Sequence, residues 1–444
     1  MPAPFSITGR VPPAGRLCDT VFGLMPDSNT FAAVFESAAS APLWALDRLR
    51  ELDPVLGLAL LMLAAIVLTE ALHRRWRLPR VCGNMLAGAL AGPLVLRLLD
   101  SADLDLWKPL IDLAIGALLF ELGTRIRPRW LLDNPWLALS CLLQAGLCGG
   151  LVAAGLTWLG APQLTAIVAG IVALSTSPVI VMAASHEERS RGQVTERLLL
   201  MTAINAVIAV VGLRVLRVVL VSGDTSAGDE LILALTSALR VLGGSFLLGV
   251  ACGYALDRLS PLMRNTSAMP VLQIALVIIA SMLAAHWTLS PLLALLVAGM
   301  TARARMAHGL TVEPHLGSAG AVLKVLLFIC LGLLFTIEGL AALWPWVLVV
   351  IGARLLGTGL AIGVLARPSG LGWRQATGLT LALQPMSSLT VLLATDTFGW
   401  TRQLPGVHGP TLQALLLAVT LMQLSGPVWT QMSLRHVARE SQLE

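Results

Sequence analysis

Charge is what this sequence has least of. Only 12% of its 444 residues are Asp, Glu, Lys or Arg, where a soluble domain has roughly 25%. With 56% of residues hydrophobic, there is too little polar surface to coat a water-soluble core, so the chain reads as an integral membrane protein. Paired cysteines are missing as well. Cys18, Cys82, Cys141, Cys148, Cys252 and Cys330 are scattered, five of them inside apolar runs, with no CxxC among them. That excludes a disulfide framework and a zinc site. The seven histidines are equally dispersed, and no nucleophile–base constellation stands out, so an enzyme is not expected. The net charge of +5 comes from arginines in short loops between apolar runs, a topology signal rather than a nucleic-acid patch. No cofactor, metal or nucleic-acid partner is expected.

Residues 1–52 contain no long apolar run and lack the basic-then-apolar layout of a secretory signal. They read as a non-membrane segment, in which Phe31 to Leu46 has the pattern of one surface-lying helix. From residue 53 to 434 the chain changes character. Apolar runs recur at roughly 54–73, 81–99, 106–126, 136–160, 164–186, 196–220, 231–258, 270–287, 289–303, 318–337, 341–366, 374–398 and 410–431. This predicts an all-α polytopic protein of about thirteen transmembrane helices. Loops that share one side carry Arg74, Arg75, Arg77 and Arg80, then Arg125, Arg127 and Arg129, then Arg189, Arg191 and Arg197. Later loops on that side carry Arg258 and Arg264, Arg303 and Arg305, Arg367 and Arg374, and finally Arg435 and Arg439. Basic loops face the cytoplasm, so the N-terminus is expected outside and residues 435–444 form a cytoplasmic tail.

Two runs are interrupted by polar groups near their middle. Ser175, Thr176, Ser177 and Pro178 break the fifth, and Asn205 sits halfway along the sixth. Pro178 removes one backbone donor and frees a carbonyl a turn earlier. Such backbone survives at membrane depth only against protein or a watery cavity, which is how a transporter builds an ion site. A proline-kinked helix with its hydroxyls bonded to its own carbonyls fits the stretch equally well. The twelfth run has a matching break at Leu383-Gln-Pro-Met-Ser-Ser388. Leu-Ala-Gly-Ala-Leu-Ala-Gly at 86–92 is echoed at 295–300, and Gly116–Gly123 is echoed at Phe328–Phe335. The order of these echoes suggests two inverted six-helix repeats with broken helices that cross.

Gly83-Asn-Met-Leu-Ala-Gly, Leu118-Leu-Phe-Glu-Leu-Gly123, Ala173-Leu-Ser-Thr-Ser-Pro178, Leu289-Ser-Pro, Leu327-Phe-Ile-Cys-Leu-Gly332 and Gly352-Ala-Arg354 together resemble the monovalent cation:proton antiporters, especially the Kef-type potassium/proton branch. The resemblance covers most of residues 54–431. It implies a homodimeric inner-membrane antiporter that exchanges potassium or sodium for protons by alternating access. Core helices at about 136–220 and 341–431 would move against panel helices at about 54–126 and 270–337, joined by a linking helix at about 231–258. The ion site would lie at the crossing, at Thr176, Ser177, Gln384, Ser387 and Ser388, beside Asn205 and Arg354. Here the chain departs from the pattern. The family's helix-six Asp is replaced by Asn205 or Ala206, and its Arg-Gly-Glu element on helix twelve is Pro-Met-Ser. Asp396 is then the candidate proton carrier on a core helix.

Charges at bilayer depth cost at least about 2.5–3.5 kcal/mol each, so they pair or serve transport. Glu121 and Lys324 occupy similar positions in the two repeats and are expected to form a structural ion pair. Two alternatives stay open, an anionic or organic solute carrier of the same fold and a non-transporting sensor or assembly subunit. The sequence ends thirteen residues after the last span, so gating by an appended nucleotide-binding domain is not expected.

Overall fold

A computed structural model describes residues 54–442, apart from 93–100, 127–129, 131–132, 222–226, 264–267, 307–316, 334, 336–339 and 388–409. Pro54–Glu444 forms one compact unit. Its helices run in the order α1 (Pro54–Trp76), α2 (Arg80–Ala91), α3 (Ser101–Arg125), α4 (Pro135–Trp158), α5 (Gln163–Ala173), α6 (Pro178–Glu187) and α7 (Gln193–Val221). They continue as α8 (Ala227–Leu259), α9 (Met269–His286), α10 (Pro291–Met306), α11 (Gly317–Leu333), α12 (Leu340–Leu365), α13 (Trp373–Ala382) and α14 (Pro410–Met432). Among the described residues no strand forms, and one isolated antiparallel bridge joins Thr176 to Met386. Seven of the described helices are long and apolar enough to cross a membrane, and the helices at Gln163–Ala173 and Gly320–Leu333 are shorter apolar ones.

Proline sets several of the starts. Pro135 and Pro178 stand in the first turn of α4 and α6, where the missing N–H has no intrahelical partner to lose. Small residues then let helices approach closely, the packing device of a chain whose exterior is as apolar as its interior. α2 packs on α11, and α3 on α10. A Cβ on Gly88 would collide with the Ile329 carbonyl and approach Gly332, and a Cβ on Gly123 would collide with the Leu296 carbonyl and approach Gly299. No alanine fits at either contact.

The largest apolar cluster joins α2, α3, α6, α7, α11 and α13 through residues such as Met85, Leu122, Ile180, Met201, Phe328 and Leu379. A second cluster joins α4, α5, α12 and α14. The ends of α5 and α13 lie where these clusters meet.

After α14 the chain turns through a π-helical stretch, Ser433–Val437, and packs back onto the α6–α7 loop rather than trailing free. Glu440 is the anchor. Its carboxylate accepts from the backbone N–H groups of Val194 and Thr195, each at 2.8 Å, and from the Thr195 hydroxyl at 2.8 Å. A carboxylate there satisfies the orphan donors of the first turn and the positive end of the helix dipole. The tail therefore caps α7, the helix that carries Asn205.

Candidate functional site

The chain leaves helical geometry at 174–177, between α5 and α6, and again after Ala382. Ser177 is extended, as the residue before a proline must be, and its Oγ accepts from the Ile180 N–H at 3.3 Å to cap α6. α13 stops at Ala382, with Leu383 as its C-cap, and Pro385 follows two residues later. The two interruptions meet in space. Ser177 N–H donates to the Pro385 carbonyl at 2.8 Å, the Thr176 hydroxyl donates to the Leu383 carbonyl at 3.1 Å, and Thr176 bridges Met386.

Arg354, from the middle of α12, fills the space behind this crossing. It is 0% exposed. Nε–H donates to the Gln384 carbonyl at 3.2 Å, and one terminal nitrogen donates to the Leu383 carbonyl at 2.8 Å and to the Thr176 hydroxyl at 3.1 Å. The other terminal nitrogen donates to the Ala173 carbonyl. These carbonyls are the ones that α5 and α13 strand when they stop. Each half-helix C-terminus carries about half a negative charge, so the two ends together offset one guanidinium without a carboxylate. Four donor contacts occupy a group that has five N–H bonds. The arrangement is a stitch between two helix ends.

Asn205 is also 0% exposed, and neither its Nδ2 nor its Oδ1 has a hydrogen-bond partner. Its helix, α7, packs against α5 and α13, and Ala209 one turn on packs with Leu174 of the break and Cys148 of α4. Thr202 Oγ1, Ser175 Oγ and Gln384 Oε1 are likewise buried and unpaired. Thr202 lies three residues before Asn205 and so shares its helix face, while Ser175 and Gln384 stand in the breaks themselves. Ala206 faces the opposite way, into the cluster with Leu119 and Phe120 of α3. Of the remaining expected site residues, Ser387 is fully buried at the crossing, and Ser388 and Asp396 lie outside the described residues. Asp112 and Arg240 are exposed at their helix surfaces.

Glu121 and Lys324 come within 3.6 Å of each other, but they are not an isolated pair. His186 Nε2, at the end of α6, is 2.6 Å from Glu121 Oε1, and Arg125 is 3.8 Å from the same oxygen. The next residue, Glu187, accepts from the backbone N–H of Arg80 at 3.0 Å through each carboxylate oxygen. Sequence reasoning missed both His186 and Glu187, and it missed Glu440. The run His186-Glu-Glu188 beside a broken helix was the available signal.

Comparison with known proteins gives a family and a fold. The family profile for the sodium/hydrogen exchanger, transmembrane, matches residues 59–432. The chain belongs to that family. The exchanger is similar in fold to the sodium proton antiporter MjNhaP1 from Methanocaldococcus jannaschii at pH 8, with a TM-score of 0.65 and 15% identity over 86% of this chain and 98% of that one. An electron-microscopy structure of the same antiporter gives a TM-score of 0.64 and 13% identity over 88% and 100%. At these identities the likeness is one of fold. Comparison with curated proteins returns no match to the exchanger's sequence.

Proposed function

We propose that the exchanger is a secondary-active antiporter that binds a monovalent cation at the crossing and works by alternating access. The carrying observation is the group of unpaired buried oxygens at Asn205, Thr202, Ser175 and Gln384. Leaving a buried polar group unpaired costs about 1–3 kcal/mol, and four of them beside two broken helices suit a desolvated cation. Asn205 contributes a carbonyl oxygen to the ion but does not titrate, so it binds without exchanging a proton. The proton is then carried by Asp396. Arg354 holds the two helix ends together. Four of its five N–H groups are engaged, three by backbone carbonyls and one by the Thr176 hydroxyl, which disfavours the anionic-solute reading.

The proposed architecture has thirteen spans in two inverted repeats, with α4–α7 and α12–α14 moving against α1–α3 and α9–α11. Support comes from the glycine contacts: exchanging the repeats turns the α2–α11 contact at Gly88 and Gly332 into the α10–α3 contact at Gly299 and Gly123. The arginine loops support an inner-membrane protein with the N-terminus outside, and the family resemblance supports a homodimer formed through the panel. One observation favours a sensor, namely that Asn205 and the crossing are closed to solvent.

A vesicle assay separates the readings. Purified protein in vesicles with an imposed pH gradient is challenged with sodium, potassium, lithium or no added cation. Gradient collapse with sodium or potassium alone supports antiport. Equal behaviour in all four contradicts it.

A further inference from the structure

We propose that Gln144 of α4 is a further ligand of the cation, adding an oxygen to the shell beside Asn205 from a helix that has no break. The proposal rests on the reading in which the cation binds at the crossing. α4 and α7 pack together and run the same way. Arg197, near the start of α7, lies over Trp130 just before α4, with its guanidinium carbon 5.5 Å from the ring centroid. Farther along both helices, Cys148 and Ala209 share one apolar cluster with Leu174 of the first break. Gln144 stands four residues before Cys148, and Asn205 stands four residues before Ala209. One turn back along each helix keeps the same face, so the two amides sit level on the facing sides of α4 and α7. Both are 0% exposed.

The two amides are complementary yet unjoined. Gln144 Oε1 is an acceptor and Asn205 Nδ2 a donor, and neither has a hydrogen-bond partner. Amides in contact would pair, because buried polar atoms rarely go without a partner, so a gap separates them. On its other side Gln144 Nε2 donates to Thr358 Oγ1 at 3.4 Å. Thr358 lies one turn beyond Arg354 on α12 and is 0% exposed. Its neighbour Gly357 lets α12 approach α4 so closely that a Cβ there would collide with the Cys148 backbone. The bond to Thr358 fixes the sense of the amide. The nitrogen is held by α12, and the carbonyl oxygen is left free for the guest that Asn205 Oδ1 also meets. Thr358 is the positioning residue and Gln144 the ligand.

A cation there has only dipoles to meet its charge. α4, α5 and α12 contain no carboxylate, and α7 has only Glu196, in its first turn. Arg354 adds a fixed positive charge behind the crossing. Affinity therefore depends on how many neutral oxygens reach the ion, and Gln144 adds one to those of Asn205, Thr202, Ser175 and Gln384.

The test reads binding rather than transport. The full chain in detergent is titrated with sodium, potassium or lithium chloride against choline chloride at constant ionic strength. Melting temperature is followed, since a ligand that binds only the folded state raises it. Gln144→Leu should weaken the apparent cation affinity about tenfold. Its melting temperature in choline alone should be unchanged or higher, because an unpaired buried group has been removed. Thr358→Val, which lets the amide turn, should weaken affinity less, and Thr358→Ser, which keeps the hydroxyl, should restore it. Affinity and choline melting temperature falling together in Gln144→Leu would make the glutamine structural and overturn the ligand. Undiminished affinity in Gln144→Leu overturns it too, and Asn205→Ala then tells which reading has failed: a loss of affinity there spares the crossing, and no loss removes the crossing as well. A wild type whose melting temperature ignores all three cations overturns both.

Discussion

Replacing Arg354 tests the stitch most severely. Arg354→Ala strands the carbonyls of Ala173, Leu383 and Gln384 in a site that is 0% exposed. At about 1–3 kcal/mol per orphaned group, the gross penalty is about 3–9 kcal/mol. Removing a buried charge returns several kcal/mol of desolvation, which leaves a net loss of about 2–5 kcal/mol. Against a typical total of about 5–15 kcal/mol, that is enough to loosen the crossing. It corresponds to a fall in melting temperature of about 2–6 °C. Arg354→Lys keeps the charge but loses the planar fork that reaches two helix ends at once, so its melting point should fall between the two. Arg354→Met matches the length without any donor and should resemble Ala. Thermal unfolding of detergent-solubilised protein, with vesicle flux on the same preparations, gives the order. Wild-type stability in Arg354→Met would refute the stitch. Wild-type flux in Arg354→Ala would place the site elsewhere.

Four further substitutions probe other packing contacts. Glu121→Leu should destabilise more than Lys324→Leu, because the carboxylate serves His186 and Arg125 as well as Lys324, and adding Lys324→Leu to Glu121→Leu should recover part of the loss. Equal melting points for all three would deny the contact. Glu440→Ala should cost about 1–2 kcal/mol by uncapping α7, seen as faster amide exchange at residues 193–196, and unchanged exchange would mean the tail caps nothing. Gln273 on α9 is 1% exposed, with neither amide atom paired, in a cavity lined by Phe120, Leu276, Val277 and Leu295. Gln273→Leu should therefore raise stability by about 1–3 kcal/mol, and a lower melting temperature would show that something pairs the amide.

The sequence made the breaks easy to see, because Pro178 and Pro385 each interrupt an apolar run and polar residues flank both. Arg354 stood out through the family resemblance. Its partners did not, since they are backbone carbonyls at 173, 383 and 384 that no residue type announces. Two helix ends supply the negative charge that a partner carboxylate would otherwise have to provide. Glu121 and Lys324 were legible as matching intramembrane charges. His186 was not, because a histidine at a span end gives no clue to which helix it meets until the chain is folded. The cap from Glu440 depends on a contact across 246 residues, which periodicity cannot reveal.

Central to the proposed mechanism is that the crossing beside Asn205 binds the cation while a different group, Asp396, carries the proton. The most direct measurement compares pH-gradient-driven sodium or potassium flux in vesicles holding wild type, Asn205→Asp and Asp396→Asn. Asn205→Asp restores a group that both binds a cation and titrates, so pH-dependent flux should rise above wild type, and Asp396→Asn should remove what coupling the wild type has. Strong wild-type exchange that survives Asp396→Asn, or no gain from folded Asn205→Asp, would contradict the claim.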